Sequence, residues 1–345
     1  MTNVFRPATA ISAAILTTAA LFFGGGIFAP MAVSLFACAI LWPMQKTLEV
    51  RLPRLIALII TLAATVIVIG TLGALVAWGI SVVGRWLMAY TGRFYDLYAM
   101  TMAWFDGHGL AIAEPLAEQF NVLSLIRLFQ DVLAHLNGLL GFSLTVLIFT
   151  MLGLLEVGDF RHKLQALHDG EKGARILTAV TNIGRKFRKY LLVRTFASVL
   201  TGVVIWAFAT ALNIELASAW GVIAFALNYI PVLGPLIATV LPTLFTAAQF
   251  ESWQMAMIVF FGLNAIQFVI GSYLEPRLSG SALAISPFIV VFAVFFWAFL
   301  WGIPGAFIGV PVTIAMLSLC ELGQQTRWIS TLLSGPVNQK DERLR

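Results

Sequence analysis

A chain of 345 residues that is 60% hydrophobic, only 11% charged and of mean hydropathy +0.93 lies far outside the composition of soluble globular domains. Apolar runs of the roughly 20 residues that cross a bilayer as helix recur along most of it, and they lack the polar faces that one large soluble core would require. The net charge of +5 is concentrated, with nine of the 21 Lys and Arg between Glu156 and Arg194, and the positive-inside rule explains that cluster as a cytoplasmic segment without invoking nucleic acid.

In chain order, Arg6 precedes the apolar stretch "ATAISAAILTTAALFFGGGIFA", which is longer than a cleaved signal segment and reads as a retained first span. Gly24, Gly25, Gly26 and Pro30 interrupt the block from Ala8 to Trp42, so the residues predict two short, closely connected spans. Lys46, Arg51 and Arg54 put the following turn in the cytoplasm, and a third span runs from about Leu55 to Val83. Residues 84–135 differ in kind: Asp96, Asp106, Glu114, Glu118 and Asp131 outnumber Arg85, Arg93 and Arg127, which suits the extracytoplasmic side.

Within that region Phe94, Leu97, Tyr98, Thr101, Trp104 and Phe105 fall at helical spacing, as do Leu123, Ile126, Val132, Leu133 and Leu136 with one turn skipped. Both read as amphipathic helices, lying on lipid or packed on the bundle or another subunit. Spans follow from about Leu136 to Leu155 and from about Tyr190 to Leu212, on either side of the cytoplasmic basic segment 156–189.

The last third holds two overlong blocks with one kind of interruption. Ala217 to Ala248 carries Pro231, Gly234, Pro235 and Pro242, and Ser286 to Cys320 carries Gly302, Pro304, Gly305, Gly309 and Pro311. "IPVLGP" and "IPGAFIGVP" are weakly similar, and each block is roughly half again as long as one span needs. Each is therefore either one long kinked helix or two pieces folded back as a hairpin.

A proline in a spanning helix frees the carbonyl four residues earlier, and in lipid only protein or a water-filled cavity can satisfy it. Such broken helices build solute sites in secondary transporters. Asn228 is the polar side chain nearest the break in "NYIPVLGPL", and the expected site lies where "NYIPVLGP" and "WGIPGAFIGVP" meet. Alternatively the prolines only kink helices to fit their neighbours. Glu275 and Arg277 are the only charges between Glu251 and Glu321, so at membrane depth they should neutralise each other or bind something, whereas in a loop they form a charged turn. Asn264 and Gln267, at i and i+3, share a helix face that lines a polar path or makes a helix contact.

Nothing in the residues supports an enzyme. His108, His135, His162 and His168 are scattered, no phosphate loop, HExxH or GxSxG motif occurs, and Cys38 and Cys320 lack metal-ligand spacing. The reading is of no cofactor and no catalytic or metal residue. The partners expected are the bilayer and a small polar solute or cation, with no nucleic acid and a homo-oligomer left open.

"DFRHKL", "KYLLVRT", "NYIPVLGPLIATVLP" and "LEPRLSGSALAISPFIVVFAVFFWAFLWGIPGAFIGVPVTIAM", in that order and spacing, resemble the autoinducer-2 exporter (AI-2E) family of bacterial permeases over about residues 8 to 320. The stretch "SALAISP" lacks the lysine and the leucine-histidine-proline triplet common in that family, so roles of those residues do not carry over. The resemblance implies an all-α polytopic inner-membrane protein of about eight helical segments with both termini cytoplasmic. Some members of the family are described as exporting autoinducer-2 and others as sodium/proton antiporters. The expected function is gradient-driven transport of a small polar solute. Cation/proton antiport through Glu275 and a non-transporting membrane scaffold are the alternatives.

Overall fold

The structure, a computed structural model, describes residues 5–108, 141–160, 163, 170–279, 285–323 and 326–333. The second amphipathic pattern, Leu123 to Leu136, the C-terminal "QKDERLR" and part of the basic segment lie outside the described residues. Helices dominate: α1 (Phe5–Phe23), α2 (Gly25–Glu49), α3 (Arg54–Ala89), α4 (Thr91–Gly107), α5 (Gly141–Phe160) and α6 (Gly170–Ala211). They continue as α7 (Ala217–Leu227), α8 (Leu233–Phe250), α9 (Trp253–Gln267), a π-helical stretch (Phe268–Leu274), α10 (Glu275–Ser279), α11 (Pro287–Cys320) and α12 (Arg327–Leu333).

Among the described residues, seven helices are long and apolar enough to cross a membrane. Large apolar side chains such as Ile59, Ile67, Phe261 and Phe299 are 61–70% exposed, a surface that only lipid or another chain would cover. The protein is an all-α multi-pass membrane protein.

The first block breaks at Gly24 alone. The block forms the two connected helices expected, and Pro30, like Pro43, lies within α2 and takes no part in the break. Neighbouring side chains and small helix adjustments absorb prolines inside membrane helices, which is why a proline by itself does not mark a break. Helix α6 is twice the expected span, because the basic segment continues it from Gly170. Of the first amphipathic pattern, Phe94 and Leu97 are buried: Phe94 joins a core with Trp86 and Phe245, and Leu97 packs with Ala247 and Ala256. At these two positions α4 packs on the bundle rather than on lipid.

The chain divides into two compact units. One comprises residues 1–64, 142–191 and 279–345, and has Cys38, Leu58 and Leu154 in one apolar cluster and Ala293, Trp297 and Leu300 in another. The other comprises residues 65–141 and 192–278, and its core contains Val83, Trp86, Ile205, Trp220, Phe245 and Leu263. Each unit holds one of the two interrupted blocks.

Candidate functional site

Both interrupted blocks fold back on themselves. In the first, the Trp220 and Phe245 rings are 5.1 Å apart, although 25 residues of straight helix would separate them by about 37 Å. The open end of this hairpin is tied by one side chain: Gln249 donates from Nε2 to the Asn213 carbonyl at 3.0 Å and accepts from the Glu215 backbone N–H at 2.9 Å. Trp86 donates to the Glu215 carboxylate at 2.5 Å, anchoring the same end to α3.

The closed end lies at Asn228–Val232, between α7 and α8. Val232 has φ 68 and ψ −56, and the Leu233 N–H reaches back to the Pro231 carbonyl at 2.8 Å. This is a three-residue turn of the positive-φ kind, rare for any L residue and strained for a β-branched one. Strain of this sort persists only where the surroundings over-determine it, and it clusters at functional sites. The carbonyls that Pro231 and Pro235 would leave free, those of Leu227 and Pro231, are taken by the N–H groups of Ile230 at 2.9 Å and Leu233 at 2.8 Å. The expectation of open carbonyls at these two positions is therefore corrected: the turn satisfies them itself, and the polar character of the tip comes from side chains.

Those side chains meet a polar stripe on α6. Arg194, Thr195, Ser198 and Thr201 occupy positions i, i+1, i+4 and i+7, which share one face of a helix. Asn228, 5% exposed, donates from Nδ2 to Ser198 Oγ at 3.2 Å, and the Tyr229 hydroxyl pairs with Thr195 Oγ1 at 3.0 Å. Arg194, also 5% exposed, forms an ion pair with Glu275 at 2.6 Å. Its Nε and Nη2 are buried with no hydrogen-bond partner among the described residues, as are Gln267 Nε2 and Thr201 Oγ1. Close approach of α7 to α6 is made by glycines: a Cβ on Gly202 or on Gly221 would stand 2.8 Å from the other's carbonyl oxygen.

Of the readings open for Glu275 and Arg277, mutual neutralisation is not the one the structure adopts. Pro276 separates them in a single helical turn that points their side chains apart. Glu275 turns to Arg194, while the Arg277 guanidinium lies over the Tyr273 ring at 3.9 Å from its centroid. Asn264 is exposed and donates to its own helix at the Phe260 carbonyl, so it does not share the partly buried setting of Gln267. Between Gln267 and Glu275 the helix is π, with i→i+5 bonding that shifts the register of the side chains beyond it.

The second block bends at Gly302, whose φ of 65 and ψ of −142 are open to glycine and not to a side chain. Trp297 donates from Nε1 to Thr313 Oγ1 at 3.4 Å, where sixteen residues of straight helix would span about 24 Å. Gly305 and Gly309 lie against the first limb, and Pro304 and Pro311 remain inside helical segments. Trp301, at the bend, donates to the Leu21 carbonyl at 3.0 Å.

The AI-2E family transporter model matches residues 11–324. The chain belongs to the AI-2E transporter family. It is 29% identical over 316 residues to the AI-2 transport protein TqsA of Escherichia coli, covering 90% of both chains. A protein of Haemophilus influenzae whose name places it among transport proteins is 25% identical over 343 residues, covering 96% of this chain and 97% of the relative. This AI-2E family member is thus a membrane transport protein.

Of the predicted site residues, the structure gathers Asn228, Pro231, Gly234 and Pro235 at one tip, with Glu275 beside the α6 stripe that the tip packs on. Gly302, Pro304, Gly305, Gly309 and Pro311 form the second hairpin, in the other unit, and that hairpin carries no comparable polar stripe among the residues described. Sequence reasoning missed Arg194, Thr195, Ser198 and Tyr229. Arg194 counts as the last member of the basic cluster when charges alone are read. The available signal was Ser198 and Thr201 one and two turns further on, inside a run otherwise fit for lipid.

Proposed function

We propose that this AI-2E family member is a gradient-driven carrier of a small polar solute, with its solute site at the tip of the first hairpin. The observation that supports this best is the polar set opposite the strained turn, in which Asn228, Ser198 and Arg194 are buried and Tyr229, Thr195 and Glu275 partly so: Asn228 on Ser198, Tyr229 on Thr195, and Arg194 with Glu275. Burying charge and amide groups among apolar helices is costly and is retained where solutes or ions pass. Ser198 stands 13 residues before the end of α6, about 20 Å along the helix, so the tip reaches deep into the bilayer from the open end of the hairpin.

By the positive-inside rule, residues 213–216 and 249–252 face the outside of a bacterial inner membrane, and both termini face the cytoplasm. The relative named for AI-2 transport makes an autoinducer-2-like signal the first solute to test, and export is the direction we propose for it.

The test is uptake and efflux of autoinducer-2 and a panel of small polar solutes in liposomes carrying the purified protein. Asn228→Ala should lower the initial rate about tenfold for the transported solute, the equivalent of one lost buried hydrogen bond, with folding intact. Unchanged rates for every solute would remove the tip from the mechanism. Cation/proton exchange is the second reading, because Glu275 is the one acid in this set. A pH-driven exchange that Glu275→Gln abolishes would favour it over solute carriage.

A further inference from the structure

Away from the hairpin tip, the first unit holds a cleft of about 410 Å³ between the N-terminal half of α6 and the end of α11. That volume is within the range of small-ligand sites. Three cations, Arg185, Lys186 and Lys189, line it against a single carboxylate, Glu321, with Asn182 and Ser318 as further polar groups. The cations are not equivalent. Lys186 is held in place by Ser318 Oγ at 2.9 Å and Glu321 at 3.7 Å, and Glu321 also accepts from the Ser330 hydroxyl at 3.1 Å. Arg185 donates to Asn182, one turn earlier on its own helix, and Lys189 has no hydrogen-bond or ion-pair partner among the described residues. Among the described residues lining the cleft the only carboxylate is therefore engaged by Lys186, and Arg185 and Lys189 face no carboxylate of their own.

The position of the cleft along α6 narrows the ligand. Beyond Lys189 the helix carries one further charge, Arg194, which is buried and paired with Glu275, so Lys189 is the last charge on α6 open to the lipid side and stands at the level where the hydrocarbon layer begins and lipid phosphates lie. The same helix face continues as Leu192, Phe196, Val199, Val203 and Trp206, at steps of four, three, four and three residues. These side chains are 48–72% exposed, an apolar stripe that starts one turn beyond Lys189. Cations and a hydroxyl at the level of the lipid phosphates, on a helix that continues into an exposed apolar run, match the headgroup of a phospholipid.

We propose that this cleft binds the phosphate of an anionic phospholipid, with Arg185 and Lys189 on the phosphate and Lys186 as the fixed third donor. Charge complementarity selects an anionic headgroup over a zwitterionic one, because a headgroup amine would meet the same cations. The site is distinct from the hairpin tip, so its failure leaves the solute proposal standing.

The experiment is native mass spectrometry of the full-length protein in neutral detergent, titrated with phosphatidylglycerol, cardiolipin or phosphatidylcholine. The wild type should retain the two anionic lipids and not phosphatidylcholine. Arg185→Gln with Lys189→Gln should weaken retention about thirtyfold, and Lys189→Gln alone, a change at a partner-free side chain, about fivefold. Lys46→Gln, which removes an exposed positive charge elsewhere, should leave it unchanged. Equal retention of phosphatidylcholine, or wild-type retention by both cleft variants, overturns the proposal. Displacement of the bound lipid by millimolar inorganic phosphate would assign the cleft to a free phosphate and overturn the lipid assignment.

Discussion

Alanine at Gly234 or at Gly305 is expected to cost about 3 kcal/mol or more, and to appear as loss of monodisperse protein after detergent extraction. A Cβ at Gly234 would stand 1.9 Å from the Leu227 carbonyl oxygen, and one at Gly305 would stand 1.8 Å from that of Trp297. In both cases the obstacle is backbone of the preceding limb, which cannot rotate aside as a side chain would. Each hairpin would have to open at its closed end. Alanine at Gly70 or Gly73, where nothing lies within 4 Å of the added carbon, should be tolerated and serves as the control. Glycine variants of the two classes behaving alike would mean that the limbs do not approach as described.

This also gives physical content to the weak similarity between "IPVLGP" and "IPGAFIGVP". The two segments share no backbone conformation, since one turns at Val232 with φ 68 and the other at Gly302 with φ 65 and ψ −142. What they share is a glycine just beyond the turn, where the returning limb crosses the carbonyls of the first. A side chain of any size would hold the limbs apart, so the glycine is required by the close approach.

Arg194→Gln should destabilise the protein by about 3 kcal/mol, and most of that loss should be recovered by adding Glu275→Gln. The ion pair is 2.6 Å long, with its arginine side chain 6% exposed and its glutamate side chain 21%. Removing one partner leaves a largely buried charge alone, which costs more than the pair contributes, while removing both leaves two amides that can hydrogen-bond. The readout is the melting temperature of purified single and double variants. Equal destabilisation by the single and the double change would mean that the two residues do not interact. Transport should not recover in the double variant, because the solute proposal needs the charges and not only the packing.

Much of the fold is legible in the sequence, and the places where reading fails are instructive. The Pro/Gly-interrupted blocks are legible as irregular, but their length does not choose between a kinked span and a hairpin, since α3 at 36 residues and α6 at 42 are as long and stay continuous. Proline positions do not locate the bends: Pro30, Pro43, Pro242 and Pro311 all sit inside continuous helix. The bend falls at a glycine with positive φ in one block and at a strained valine in the other, and a strained valine has no sequence signature.

Asn228 could be found because it adjoins the break. Arg194 could not be matched to Glu275, because 81 residues separate them and Arg277 offers a nearer partner. Local charge counting favours the neighbour, whereas helix register decides the contact. The π-helical stretch before Glu275 sets that register and is invisible to patterns of apolar spacing.

The most direct test of the account is the sidedness of single cysteines at Gln249, Ser252, Ser272 and Ser279, in a protein with Cys38 and Cys320 replaced. A folded-back first block puts its open end, with Gln249 and Ser252, on the outside, and the following span carries Ser272 and Ser279 to the cytoplasmic end. Labelling of 249 and 252 by a membrane-impermeant thiol reagent in intact cells, and of 272 and 279 only in inverted vesicles, is the predicted result. The reverse pattern would mean that Ala217 to Phe250 crosses the membrane once, and would contradict both the hairpin and a solute site at its tip.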